Sequence, residues 1–332
     1  MRKVFTCLFM CLMMHTLYGQ IDKKGNAINV VSYFSVNDTL EYQFSNVKMK
    51  VSGKDTTYDL LSEETFRLVV LEELKKGGYR IEYTPLTVKC VNDSNLSAKG
   101  KLYKALIEAT ANNVSDYQCV IVTDELGKIT HMENYKSYIK KINNLKTSMV
   151  DAIYKEMPAM EQIMSRKKFE KIMKSTVPST EEQALTMIEE VSLLFENTGL
   201  QFKMGTLDTI IDGSKYVLEV GAEKEKNEYS IDGDYFLNSK LIKQIPLKGI
   251  ASSVIDEMTD LFSDEMRKKL GDNAEEVKQK LDDKTMDFQI KTSHNYWYNG
   301  WMKDAMRVKS TKVEDLIEEY EIMNVTWTSR RF

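Results

Sequence analysis

Apolar and polar residues alternate along the first third of the chain with the two-residue period of β-strands. Alternation runs from Thr39 to Val51, and its phase slips by one residue near 45–46. A second slip follows Pro85. Such slips predict β-bulges, which bend a strand. Together with strand-like segments at 65–74 and 117–123, they predict a curved antiparallel sheet.

A helical period of about 3.6 residues replaces this alternation after the turn at 124–128. Apolar positions form one stripe from Tyr135 to Ile153 and a second near 160–173. A third helix is predicted to begin at Ser179, a residue type that caps helix N-termini well. A short additional helix is expected at 98–112. The middle of the chain is therefore predicted to be helical.

Strand-like alternation returns after Gly199. The Asp212-Gly213 pair and the charged segment 223–228 predict hairpin turns. A long amphipathic helix and a shorter one are predicted near 250–283. Three further strands are predicted near 285–297, 301–309 and 315–327.

Runs of strands separated by runs of helices are typical of the α+β class rather than of a doubly wound parallel sheet. We predict curved antiparallel β-sheets with bulged strands, packed with a helical segment and a second helix pair. The expected divisions are a signal peptide at 1–19, an N-terminal β-rich lobe at 20–133, a helical segment at 134–199, and a C-terminal β-rich lobe at 200–332 with helices near 250–283. The pattern leaves open whether the two lobes share one sheet.

The N-terminus has the order of a secretory signal peptide. Arg2 and Lys3 precede an apolar run at 4–14, and the small residue Gly19 precedes Gln20. The run is much shorter than the roughly 20 residues that span a bilayer, and no later segment is long and apolar enough to do so. We therefore expect a protein that does not span the membrane and is secreted or periplasmic after cleavage near Gly19.

Composition and charge argue against two further classes of protein, disordered chains and nucleic-acid-binding proteins. The chain is 42% hydrophobic and has only 4 prolines, which excludes a disordered chain. The formal net charge is −4, and it becomes about −6 when Arg2 and Lys3 leave with the signal peptide. Because nucleic-acid binding requires a clustered basic face, no nucleic-acid partner is expected.

The segment "HNYWYNGW" at 294–301 is the most aromatic stretch of the chain and predicts a hairpin. A loop of three residues, 298–300, places Trp297 opposite Trp301 and preserves the apolar alternation better than a loop of two. In that arrangement Trp297, Tyr298 and Trp301 are the candidate binding surface. A cross-strand Trp pair also stabilises a sheet by roughly 0.2–1 kcal/mol, and hairpin stabilisation is the favoured explanation.

The sequence contains no recognised catalytic motif. Only His131 and His294 remain once the signal peptide is removed, and neither belongs to a zinc-protease motif; the nucleophile elbow of serine hydrolases is also absent. His294 is expected opposite Asp304, paired rather than catalytic. We therefore assign no catalytic residue, metal or cofactor, although a hydrolase that uses carboxylates alone would leave few traces in the sequence.

Two cysteines, Cys90 and Cys119, remain after Cys7 and Cys11 leave with the signal peptide. An oxidising compartment would allow them to form a disulfide. Both also alternate with apolar residues in strand-like segments, a pattern that favours two separate thiols buried in a core, which free cysteine tolerates well. The sequence does not supply the Cα separation that would decide between them.

The layout resembles secreted envelope proteins of Gram-negative bacteria in which curved antiparallel sheets enclose helices. The resemblance rests on the signal peptide, the bulged strands, a D-x-x-G-K-I turn at 124–129 that leads into "MENYKSYIKKI", and the late hairpin. Some of these proteins, such as the lipoprotein carriers, hold lipid or lipoprotein in the concave face. The resemblance thus implies a lipid or other apolar ligand, or an envelope protein partner, but it transfers no functional residue.

Three hypotheses follow. The leading one is a non-catalytic envelope protein that binds an apolar ligand or a protein partner on a curved sheet. The second is a structural or assembly component without a small ligand. The third is a hydrolase that works with carboxylates. Bulged, aromatic-rich strands and the lack of a catalytic motif favour the first.

Overall fold

A computed structural model of the chain describes residues 20–22, 25–91, 95–156, 158, 161, 164–175, 179–222, 233–247, 284–314 and 317–331. The predicted signal peptide and the helices predicted near 250–283 lie outside these ranges. The strands are β1 (Ile21–Asp22), β2 (Ala27–Asn29), β3 (Thr39–Ser52), β4 (Asp55–Glu73), β5 (Tyr79–Cys90), β6 (Cys119–Thr123), β7 (Ile129–Met132), β8 (Gln201–Lys203), β9 (Gly205–Ile211), β10 (Ser214–Ala222), β11 (Tyr235–Pro246), β12 (Thr285–Tyr296), β13 (Met302–Val313) and β14 (Ile317–Arg331). The helices are α1 (Ala98–Thr110), a 3₁₀ helix (Ala111–Tyr117), α2 (Tyr135–Glu156), α3 (Arg166–Ser175), α4 (Glu181–Leu185) and α5 (Glu189–Phe195).

Eleven of these strands form a single antiparallel sheet in the order β7-β6-β5-β4-β3-β14-β13-β12-β11-β10-β9. Strands β3 to β7 form one meander and β9 to β14 form another. The two meanders join where β14 pairs with β3, from Arg331 opposite Thr39 to Glu318 opposite Val51. The two β-rich segments of the sequence therefore belong to one sheet. Strands β1, β2 and β8 form a separate sheet of three.

The fold is mainly β. Strand accounts for 54% and helix for 22% of the structure, so the α+β prediction is correct at the level of composition. Helices α1 to α5 all lie between β5 and β8 in the chain, in agreement with the helical middle segment that the sequence predicts. None of the described helices combines the length and apolarity needed to cross a membrane.

The core lies on one face of the sheet, called the core face below. It is formed by alternate residues of the strands, among them Leu40, Tyr42 and Phe66, all with 0% exposure. Helix α5 packs on β13 and β14 over this face and buries five of its seven residues. Because β14 pairs with β3, α5 lies beside the junction of the two meanders.

The prediction of a bulge near 45–46 is wrong. Phe44 and Asn46 are both buried on the same face, so β3 keeps its phase through this region. The irregularity is in the neighbouring strand: pairing between β3 and β4 shifts after Lys48, where Asp59 is the extra residue. The alternation along one strand did not show which member of the pair carries the bulge.

The slip predicted after Pro85 is confirmed. Phe66 pairs with Pro85 and Thr65 pairs with Thr87, which leaves Leu86 as the extra residue of β5. Proline lacks the N–H that a regular ladder position requires, so its place within a sheet is at bulges, edges and strand starts. The residue that breaks the pattern in the sequence is thus also the reason for the bulge.

The helical segment begins and ends close to the predicted positions, but the cap of α4 is shifted by one residue. Thr180 is the N-cap, and its side chain accepts a hydrogen bond from the Gln183 backbone N–H. The Gln183 side chain in turn accepts from the backbone N–H groups of Ser179 and Thr180. This reciprocal capping box satisfies donors that the first turn of a helix leaves free.

Candidate functional site

The hairpin between β12 and β13 has the three-residue loop that the alternation favoured. The Gly300 N–H donates to the Trp297 carbonyl at 2.9 Å, and the Trp297 N–H donates to the Trp301 carbonyl at 2.9 Å. Gly300 has a φ of 87°, the left-handed conformation that this loop requires and that glycine adopts without steric cost. The prediction that Trp297 lies opposite Trp301 is therefore confirmed.

The pairing that follows differs from the prediction. His294 lies opposite Ala305, because the register shifts between Asn295 and Tyr296. Asp304 instead accepts a hydrogen bond from the Asn295 side chain at 2.6 Å. The extra residue is Lys303, whose ammonium lies 2.8 Å from the fully buried carboxylate of Asp234. This long-range ion pair lies at the bulge, and because of the register shift there His294 does not face Asp304.

Trp301 lies in the core. It is 2% exposed, its ring stacks on Phe34 at a centroid distance of 3.8 Å, and its indole N–H donates to Asp38 at 3.1 Å. Phe34 and Asp38 belong to the segment 30–38, called the strap below. The strap runs from β2 to β3 and covers the end of the sheet that carries this hairpin. There, the Tyr33 N–H donates a hydrogen bond to the backbone carbonyl of Asn299. The ring that could have received a ligand therefore binds the protein's own chain.

Trp297 is also buried, with 1% exposure. It packs edge-on against Trp327 at 5.4 Å, and the Arg330 guanidinium lies 4.6 Å from its ring centroid, within cation–π range. Only Tyr298 is exposed, at 43%. The predicted binding surface of Trp297, Tyr298 and Trp301 is therefore not exposed as a unit, because β14 covers Trp297 and the strap covers Trp301.

The disulfide between Cys90 and Cys119 does not form, and both thiols are free. Cys119 pairs with Tyr83 of β5, and Cys90 lies at the end of the same strand. The distance from residue 83 to residue 90 along a strand is about 23 Å, far beyond the roughly 7 Å that a disulfide allows between Cα atoms. Burial raises the pKa of Cys119 to about 12, so its thiol stays protonated and unreactive.

A pair of acidic side chains that the sequence did not reveal meets under α5. Glu190 is 5% exposed, and the Tyr83 hydroxyl donates a hydrogen bond to its carboxylate. Burial, followed by repulsion from Glu190 and Glu189, raises the pKa of Glu64 well above its ordinary range; burial likewise raises the pKa of Glu190. The pair therefore retains protons to higher pH than free carboxylates. Glu190 and Tyr83 are buried in the core, and Glu64 is half-buried beside them.

A second polar cluster lies at the other end of α5. The carboxylate of Glu196 contacts the Arg307 guanidinium, and its second oxygen lies 2.9 Å from His294 Nε2. His294 is 1% exposed, and burial lowers its pKa to about 4 even though Asp304 opposes the change. The imidazole is therefore neutral at neutral pH. Side chains at the two ends of α5 thus reach β5 in one meander and β12 and β13 in the other.

The two edges of the large sheet differ. The edge strand β7 has four residues, and the Met132 N–H donates to the Glu181 carboxylate of α4 at 2.6 Å. Covering an edge with a helix and keeping it short are two ways in which proteins prevent unwanted strand pairing. The β7 edge is protected in both ways.

The opposite edge, β9, pairs with β10 alone among the strands that the structure describes. Its connecting turn has Asp212 at φ 48° and Gly213 at φ 75°, as in a type I′ hairpin. In such a hairpin the flanking residues Ile211 and Ser214 exchange hydrogen bonds, and every second pair does so along the strand. The N–H and C=O groups of the alternate residues, 206, 208 and 210, consequently point away from β10.

Side chains on β9 are also unusually apolar for an edge. Leu207 is 51% exposed, Ile210 is 75% exposed and Ile211 is 49% exposed. The charged Asp208 is paired with Lys215 of β10 at 3.2 Å. We call β9, with its outward backbone groups and these three apolar side chains, the open edge. A long, apolar strand at the edge of a sheet is a template for pairing with another chain.

Comparisons with known proteins identify no family for this chain. No family model and no curated protein matches it. Among solved structures, a porin-like protein from Bacteroides uniformis aligns with 90% of this chain and 98% of its own, at 8% sequence identity and a TM-score of 0.16. A likeness of this degree supports no conclusion about fold or function.

Proposed function

We propose that this is a non-catalytic binding protein that adds an extended segment of a protein partner to the open edge. The observation that carries the proposal is the contrast between β7, a strand of four residues whose Met132 N–H donates to Glu181, and β9, which presents both backbone groups and apolar side chains. Strand addition to an exposed sheet edge is a recurrent mode of peptide recognition, in which backbone hydrogen bonds provide affinity.

The chemistry of the open edge favours a polypeptide over a lipid. Residues 206, 208 and 210 each offer one outward donor and one outward acceptor, and an acyl chain satisfies neither. Leu207 and Ile211 share a face with Leu218, which packs against the core, whereas Ile210 lies on the opposite face. A partner strand with apolar residues on both faces would therefore cover all three exposed side chains.

We further propose that the protein acts in the envelope of a Gram-negative bacterium, with a curved sheet as its binding scaffold. Support comes from the signal-peptide pattern at 1–19 and from the resemblance to envelope proteins. N-terminal sequencing of protein recovered from the periplasm or medium is expected to begin at Gln20. Recovery of the chain only from the cytoplasm, with Met1 or Arg2 retained, would contradict this location.

Site-specific photocrosslinking tests the open edge directly. A photoreactive amino acid at position 210 is expected to trap a second polypeptide in intact cells. The same group at position 298 provides the control, because Tyr298 is also exposed but lies on the other hairpin. Products at position 210 of protein mass support the proposal. Lipid adducts alone, or the same products at both positions, would overturn it.

A proline substitution then separates backbone pairing from side-chain contact. Asp208→Pro removes one outward N–H at a place where an edge strand tolerates proline. Asp208→Ala loses the same ion pair with Lys215 but keeps the N–H. We expect crosslinking from position 210 to fall with proline and to persist with alanine. Equal crosslinking in the two variants would show that no strand is added.

A further inference from the structure

We infer that the strand added to β9 is β9 of a second copy of this chain, paired antiparallel about a two-fold axis at Thr209. This inference rests on the proposed function and specifies the partner. In a two-fold interface the same surface meets itself, so the strand must be complementary to its own sequence. The sequence of β9, GTLDTII, meets this requirement in one register.

Backbone geometry limits the registers. The N–H and C=O groups that point away from β10 belong to residues 206, 208 and 210. An antiparallel copy can form hydrogen bonds with them only if its own residues 206, 208 and 210 lie opposite these positions. Axes at 206 or 210 pair only three residues of β9 with its copy. An axis at Asp208 pairs the whole strand but sets two carboxylates directly opposite each other, which is destabilising. An axis at residue 207 or 209 remains.

Side-chain burial decides between these two. An axis at 207 pairs residues 205–209 and leaves Ile210 and Ile211 uncovered, although they are 75% and 49% exposed. An axis at Thr209 places Leu207 opposite Ile211 and Asp208 opposite Ile210. All three exposed apolar side chains of the open edge then gain a neighbour, and no like charges face each other. The two sheets would become continuous across the axis.

Cysteine crosslinking tests this register. Thr209 directs its own backbone groups toward β10, so the two Thr209 residues would form a non-hydrogen-bonded pair with Cα atoms about 4.5 Å apart, suitable for a disulfide. In a Cys90→Ser background, Thr209→Cys is expected to give a disulfide-linked dimer of twice the chain mass under mild oxidation. Asp208→Cys is the matched control, because its two copies would be offset diagonally by about 7–8 Å.

The outcomes separate the two proposals. A dimer with Thr209→Cys and not with Asp208→Cys supports the inference. Asp208→Pro is expected to weaken association of the wild-type Thr209 chain by about tenfold or more in sedimentation, because each copy loses a hydrogen bond. A monomer in sedimentation, together with photocrosslinks from position 210 to other protein masses, would overturn the second copy and leave strand addition standing. A monomer without any such crosslink would overturn both.

Discussion

The hairpins β9–β10 and β12–β13 belong to the same sheet, yet they have opposite environments. Both are predicted from an Asx-Gly pair between alternating strands, and both carry large apolar residues at or near the turn. Trp297 and Trp301 are 1% and 2% exposed, whereas Ile210 is 75% exposed. The strap at 30–38 packs on Trp301 of the β12–β13 hairpin, and Trp327 and Arg330 of β14 pack on Trp297, whereas β9 lies at the edge of the sheet. Hydrophobicity alone therefore does not distinguish a core from a binding surface.

Removing an indole should have the largest effect. Trp301→Ala leaves a cavity under Phe34 and Asp38 and is expected to lower the free energy of unfolding by about 3–5 kcal/mol. Tyr298→Ala, in the same loop but 43% exposed, should change it by less than about 0.5 kcal/mol. Urea unfolding measures both. A small effect of Trp301→Ala would mean that the strap does not depend on this ring.

Acid should act on the buried hairpin through His294. Its native pKa of about 4 lies below the ordinary 6.5, so the unfolded chain binds the proton more readily. Stability from this group is complete above pH 6.5 and is lost as the pH falls toward 4, by up to about 3 kcal/mol. Glu64 and Glu190 act in the opposite sense, because their raised pKa values reduce stability as the pH rises above 4.5.

The difference between wild type and His294→Gln isolates the histidine, because the carboxylates are common to both proteins. Unfolding free energies measured between pH 4 and 7 should fall more steeply toward acid in the wild type than in the variant. Hydrogen exchange should show faster opening of β12 and β13 at the acidic end, with little change in β9. Parallel pH profiles for the two proteins would refute the role of His294.

The two turn glycines provide a matched comparison of smaller size. Both have positive φ, at 87° for Gly300 and 75° for Gly213. A Cβ at Gly300 would lie 2.3 Å from the Val31 carbonyl oxygen of the strap, whereas nothing lies within 4 Å of one at Gly213. Gly213→Ala should cost about 1–2 kcal/mol for the backbone conformation alone, and Gly300→Ala should cost more. Equal losses in thermal unfolding would argue against close packing of the strap.

The smallest effect on stability is expected at the open edge. Ile210→Thr keeps a β-branched residue on the strand and removes apolar surface that is already 75% exposed. The free energy of unfolding should change by less than about 0.5 kcal/mol, while self-association in sedimentation should weaken. A large loss of stability would indicate that Ile210 packs within its own chain, and the contrast between the hairpins would then disappear.

Local signals in the sequence predicted the local structure well. Asp212, Gly213 and Gly300 define their hairpin turns because few other residue types adopt the positive φ that these positions require. The helical segment and the bulge after Pro85 follow from periodicity and from the missing proline N–H. Where a bulge depended on the neighbouring strand, as at Asp59, alternation within β3 gave the wrong position.

Contacts between residues far apart in the chain were not predictable in this way. Phe34 covers Trp301, and the Tyr83 hydroxyl donates a hydrogen bond to Glu190. The residues of each pair are so far apart in the sequence that no periodicity connects them. The open edge was missed for a related reason. The exposure of β9 depends on its position at the end of the strand order. The sequence GTLDTII does not predict that position. The candidate site therefore required the topology.

The junction of β3 with β14 has a consequence for the time course of folding. Each meander forms from neighbouring strands, but the junction joins residues nearly the whole chain apart, as in the hydrogen bond from Thr328 to Glu41 at 3.1 Å. Contacts of high sequence separation form slowly, because a long loop must close before they contribute. Until β14 has been synthesised and docked, β3 remains a second unpaired edge. The chain is therefore more prone to aggregate before β14 docks on β3.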